Sequence, residues 1–119
     1  MFEVVFYEDV RGRQPVKDML FKLRDKARTS KDARIQYEKI LVHIRALESY
    51  GTRIGEPRVK HLGGDLWELR PLSHRVLFFH WRDRTFVLLH HFIKKTQKTP
   101  AKEIELAKNN MRDFLERND

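Results

Sequence analysis

The chain has 119 residues, with 25 lysines and arginines against 17 acidic residues, a formal charge of +8 and no cysteine. That length builds one domain, residues 1–119, with a buried core, and excludes two; the missing cysteine excludes disulfides, thiol catalysis and Cys-built zinc sites. The charge points to an acidic partner, most often nucleic acid, although a ribosomal or membrane-surface role suits it too.

No stretch approaches the roughly 20 apolar residues of a membrane span. The N-terminus starts a strand where a signal peptide needs a basic, then apolar, run, so the expectation is a cytoplasmic protein with no membrane partner. Residues 2–7, FEVVFY, are too continuously apolar for a strand exposed on both faces, and pair with strands further on. Gly12 interrupts the pattern, and Pro15 suits the first turn of a helix, where its missing N–H costs nothing. Val16, Met19, Leu20 and Leu23 recur at i, i+3, i+4 and i+7, one apolar stripe on a helix ending near Arg28. Ser30 is placed to cap a second helix, with Asp32 in its first turn favourable to the helix dipole. Tyr37, Ile40, Leu41, Ile44 and Leu47 give that helix a core face, and Gly51 closes it in the left-handed conformation. Residues 52–64 lack periodicity and contain Gly55, Pro57, Gly63 and Gly64, which reads as a loop.

Residues 66–93 carry three short runs rich in β-branched and aromatic residues, LWELRP, RVLFFHW and FVLLHHFI, separated at 71–74 and 82–84. This is the pattern of a three-stranded antiparallel meander. Thr99 then caps, and Pro100 starts, a third helix with Ile104, Ala107, Met111, Phe114 and Leu115 as its buried stripe. The predicted order is β-α-α-β-β-β-α, an α+β domain of two layers with an antiparallel sheet packed on the two N-terminal helices.

Charges on the N-terminal helices alternate in sign and read as a solvated face. Around the meander the pattern differs: Arg70 and Arg75 flank the first turn, Lys94, Lys95 and Lys98 follow the third strand, and no acid lies between Asp83 and Glu103. Glu68 is placed to pair with Arg70 or Arg75. Arg58, Lys60, His61 and His74 extend the cationic surface, and the whole suits a polyanion. The six histidines show no recognised metal-ligand spacing, so no metal or other cofactor is expected. His90 and His91, beside Lys94 and Lys95, are the best-placed general acid or base, because nearby cations disfavour the protonated imidazole. A basic, metal-free site can cleave RNA if one group takes the 2′-hydroxyl proton, cations stabilise the crowded phosphate and another group protonates the leaving 5′-oxygen.

The succession LWELR at 66–70, RVLFF at 75–79, LLHHF at 88–92 and KKTQKTP at 94–100 resembles the phage-derived Gp49-like/HigB branch of the RelE/ParE toxin superfamily. The similarity spans nearly the whole chain, and KKTxKTP after an apolar strand is its most specific part. The resemblance implies a RelE-like fold and the toxin of a type II toxin–antitoxin pair: a ribosome-dependent endoribonuclease that cuts mRNA in the A site of the 70S ribosome. It also implies a helix-turn-helix, HigA-like antitoxin, through which the complex reaches a higher oligomer. Arg70 and Arg75 match the family's sheet arginines, and Lys94 and Lys95 its strand-end cations, in the role of phosphate stabilisers; Lys98 falls to docking. His91 stands where a small residue is expected, and no Tyr or His follows the last helix, so acid and base remain unassigned. Two other readings suit the same pattern: a ParE-like inhibitor that binds DNA gyrase, and a basic nucleic-acid-binding module without catalysis.

Overall fold

Long apolar runs in neighbouring strands require cover on both faces of a sheet. The computed structural model describes residues 1–119 and meets that requirement with five strands and three helices. In chain order these are β1 (Glu3–Phe6), α1 (Pro15–Lys26), α2 (Lys31–Tyr50), β2 (Val59–Gly63), β3 (Leu66–Leu69), β4 (His74–His80), β5 (Thr85–Ile93) and α3 (Ala101–Asn118). The sheet order is β1-β5-β4-β3-β2. The meander β3-β4-β5 forms as expected, and β1 pairs with its last strand.

Three features differ from the expected architecture. Residues 59–63, expected as loop, form the edge strand β2, antiparallel to β3; the segment is short, ends in glycine and buries only Val59, so it carries no alternation to read. The sheet is mixed where an antiparallel one was expected, because β1 runs parallel to β5. The layers number three where two were expected. α1 and α2 cover one face, where Val16, Leu20, Ile40, Ile44 and Leu47 pack on Leu69, Val76, Phe78, Phe86 and Leu88. α3 covers the other, setting Ala107 and Phe114 against Leu66, Leu77, Phe79, Val87 and Leu89.

Local chemistry explains the helix ends. Pro15 opens α1, and the Ser30 hydroxyl accepts from the Ala33 N–H at 3.1 Å to cap α2. Gly51 closes α2 at φ 64°, and a Cβ there would lie 2.8 Å from the Phe2 ring, so glycine is needed twice over. The third cap departs from expectation. Pro100 is the N-cap of α3, and the Thr99 hydroxyl is turned to Glu68.

A bulge divides the polar residues of β5 between the two faces. Leu77 lies opposite His90 while Phe78 lies opposite Leu88, so Leu89 is an extra residue in β5. Its insertion resets the alternation. Leu89 packs under α3 and His90 bonds Glu103 of that helix, whereas His91 bonds His74, which in turn bonds Gln36 of α2.

Phe78 is wholly buried in the α1/α2-side core. Phe78→Ala is expected to cost about 3–5 kcal/mol by urea unfolding. A loss below about 1 kcal/mol would show that this layer is not tightly packed.

Candidate functional site

On the α3 side β3 and β4 are apolar at one end, with Leu66, Leu77 and Phe79 under the helix, and ionic at the other, where Glu68, Arg70 and Arg75 gather. Lys60, Arg70, Arg75, Lys94 and Lys98 line one hollow of about 240 Å³ together with a single carboxylate, Glu68. A second hollow of about 610 Å³ adjoins it, sharing Arg75, Lys94 and Gln97 and adding Lys95. Together they form an open cationic cleft bounded by β2, β3, β4 and the segment 94–100.

Glu68 lies at the base of that cleft, 2% exposed. One carboxylate oxygen accepts from the Thr99 hydroxyl at 2.6 Å; the other lies 3.6 Å from Arg70 Nε and 3.9 Å from Arg75 Nε. Both arginines therefore attend it at ion-pair distance and neither is locked in a bidentate fork. Arg70 Nε is buried without a hydrogen-bond acceptor. Arg75, 6% exposed, donates through one terminal nitrogen to the carbonyls of Leu72 and His74, both at 2.8 Å, and so pins the β3–β4 turn. Burial and the neighbouring Arg70 pull its guanidinium below the ordinary range, with Glu68 acting the other way. Cations held with donors to spare, around too little negative charge, are suited to a phosphate.

Of the residues singled out from sequence, Arg70, Arg75, Lys94, Lys95, Lys60 and Lys98 converge here. The expected pairing of Glu68 is met by both arginines. Arg58 lines neither hollow; its carbonyl accepts from the Arg70 N–H. His61 reaches the rim, but its ring lies 4.6 Å from that of Trp67 and donates from Nε2 to the Gly64 carbonyl, holding the β2–β3 turn. Thr99 and Gln97 had no assigned role at the site. The signal for Glu68 and Arg70 was present, since a charge at an inward strand position must find a partner.

The other histidines lie elsewhere. His90 and His91 line neither cationic hollow. His90 donates from Nε2 to Glu103 at 2.7 Å. His91 belongs to a chain on the α2 side whose proton positions are set by its ends. The Gln36 amide donates to Asp32, so its oxygen accepts from His74 Nε2–H at 2.7 Å. His74 Nδ1 then accepts from His91 Nε2–H at 2.8 Å. Burial, more than the neighbouring His74 and His90, pushes His91 down to about 4, and burial likewise lowers His74. The expected direction holds, but its main cause is desolvation where nearby lysines were expected. No group of three or more His, Asp and Glu side chains is arranged to hold a metal ion.

The profile of the phage-derived protein family Gp49-like matches residues 17–112, from α1 through most of α3 and across all the cleft residues. No curated protein matches the chain.

The imidazole chain predicts a pH dependence of stability. His91 titrates at about 4 in the fold against 6.5 for the free side chain, so between these values the unfolded state binds the extra proton. Its contribution is complete above pH 6.5 and is lost as pH falls toward 4, by about 3 kcal/mol, with His74 acting in the same direction. His91→Gln is expected to flatten unfolding free energy between pH 7 and 4.5. An unchanged slope would remove the histidine from that dependence.

Proposed function

The chain belongs to the phage-derived Gp49-like family, a RelE/toxin-like group, and from that premise we propose that it is the toxin of a type II toxin–antitoxin system, a ribosome-dependent mRNA endoribonuclease. The observation that carries this reading is the convergence of Lys60, Arg70, Arg75, Lys94 and Lys98 around one buried carboxylate in an open cleft. In such a cleavage the 2′-hydroxyl loses its proton and its oxygen bonds to phosphorus. The bond from phosphorus to the 5′-oxygen breaks, and that oxygen takes up a proton. The products are a 2′,3′-cyclic phosphate and a 5′-hydroxyl. Negative charge gathers on the phosphoryl oxygens between these steps, and preorganised guanidinium and ammonium groups stabilise it.

The cleft is rich in charge stabilisation and sparing in acid–base groups. Its one histidine, His61, sits at the rim with Nε2 engaged by the Gly64 carbonyl, so beside the arginines the groups able to carry a proton are lysine amines and Glu68. Dependence on a ribosome, which presents the mRNA with further groups around it, is consistent with that division. An acidic segment of a helix-turn-helix antitoxin is the proposed inhibitor, laid across Arg70, Lys94 and Lys95 and weakened by salt.

A second reading, a ParE-like gyrase inhibitor, draws on α2, which exposes Ile35 and Val42 at 49% and 52% seven residues apart on one side. The two readings respond oppositely to changes in the cleft. Arg70 is the cleaner probe, because Arg75 also holds the β3–β4 turn. Arg70→Ala is expected to stay folded and to lose about a hundredfold or more in single-turnover cleavage on programmed ribosomes. Full growth arrest by a folded Arg70→Ala protein would exclude the cleft and favour the helix face.

Lys98, exposed and near the end of its loop, is expected to act in docking. Lys98→Ala should lower the salt slope of ribosome association by roughly one phosphate contact while cleavage at saturation holds. Replacing Lys94 and Lys95 together should do the reverse, because only contacts stronger in the transition state raise turnover. A double variant cleaving at the wild-type maximal rate would remove both lysines from the chemistry.

A further inference from the structure

Glu68 is an unusual occupant of a cationic cleft. A carboxylate 2% exposed has room for about four hydrogen bonds, and it makes one, to Thr99. Its two arginines stand off by 3.6 and 3.9 Å although both are within reach. A purely structural buried ion pair closes to full hydrogen-bond distance, because only good geometry offsets the desolvation of both charges. Here neither guanidinium closes on the carboxylate: Arg70 Nε is buried without an acceptor, and Arg75 turns one terminal nitrogen to the Leu72 and His74 carbonyls instead.

The other half of the carboxylate ties down the basic segment. The segment 94–100 is hydrogen-bonded to the rest of the domain at its two ends: the Lys94 N–H donates to the Ser73 carbonyl at 2.8 Å, and the Thr99 hydroxyl donates to Glu68 at 2.6 Å. Between them, Thr96 bonds only within the loop, to the Lys98 carbonyl. One side chain thus faces both guanidiniums and anchors the strap that carries Lys94, Lys95 and Lys98. Pro100 comes next as the cap of α3, so the tether also sets where that helix begins.

From this geometry we infer that Glu68 is a positioning residue: it holds Arg70 and Arg75 side by side against their mutual repulsion, leaves their remaining terminal nitrogens free for a phosphate, and through Thr99 latches the basic strap over the cleft. The inference rests on the reading of the cleft as a phosphate-cleaving site. It separates two functions in one carboxylate. The charge opposes anion binding while it aligns the arginines, whereas the hydrogen bond to Thr99 holds the strap.

Two substitutions divide these functions. Glu68→Gln keeps an oxygen for Thr99 and removes the charge. Thr99→Val keeps the charge and removes the hydrogen bond, and Thr99→Ser restores it. Each variant is compared with the wild type in three ways: inorganic phosphate titration followed on the arginine Nε signals by NMR, backbone 15N relaxation over residues 95–98, and single-turnover cleavage on programmed ribosomes. Glu68→Gln is expected to bind phosphate roughly threefold or more tightly, since a like charge has left the cleft. Its cleavage is expected to fall about tenfold as the arginines spread. Thr99→Val is expected to lower the backbone order parameters of the strap from rigid values toward those of a flexible loop, with phosphate affinity held. Its cleavage should fall and Thr99→Ser should recover it.

Phosphate binding that weakens in Glu68→Gln together with cleavage would overturn the inference, reducing Glu68 to a structural ion pair. Unchanged strap order parameters in Thr99→Val would do the same for the latch, and this arm stands even where Glu68→Gln fails to fold. A wild-type protein that cleaves nothing, with variants that show the expected phosphate and relaxation changes, supports the positioning role and removes only the ribonuclease reading.

Discussion

A carboxylate cannot be taken out of water without cations close by, and Glu68 is almost completely buried at the open end of the sheet. Much else at that end depends on it. Arg70 and Arg75 are drawn to the carboxylate from the end of β3 and the start of β4, and Thr99 is drawn down from the strap. Arg75 in turn closes the turn at Leu72, which sits at φ 56°. Mutual repulsion of these cations is tolerable because a single negative charge lies among them. Their surplus remains available to a ligand because that charge is only one against five.

The sheet makes the cluster possible by being covered on both faces except at this end. β4 is buried along six of its seven residues, so Arg75 has a rigid mount. The bulge at Leu89 then sorts the polar residues of β5 by face. Imidazoles buried on the α2 side form a neutral chain through Gln36, while the α3 side keeps its guanidinium and ammonium groups clear of His90 and His91. The domain therefore keeps its buried, neutral imidazoles apart from the groups that stay charged. For the proposed cleavage, that separation favours charge stabilisation over histidine acid–base catalysis.

Much of this was legible in the sequence, and the rest was hidden for specific reasons. The 3.6-residue stripes of all three helices, the Ser30 cap and the three-strand meander formed as read, because each is a local pattern with a local cause. The partner face of α3 was not legible, since an amphipathic stripe says that a helix is covered without saying by which side of a sheet. The direction of β1 against β5 is likewise decided by the route of the chain between them. β2 buries one residue of five clearly and leaves no period to read. The cations were found because they are numerous and lack local acids. The histidines were not placed, because one extra residue, Leu89, reverses which of His90 and His91 faces α3, and nothing in the run FVLLHHFI marks the bulge.

Whether the cationic cleft cuts mRNA on the ribosome is tested most directly by primer extension on a defined mRNA, translated in a purified system with and without the protein. New 5′ ends are expected within the reading frame, appearing only when ribosomes are translating and vanishing when Arg70 is replaced by alanine. Intact message in a reaction where the protein still arrests translation would contradict cleavage by the cleft.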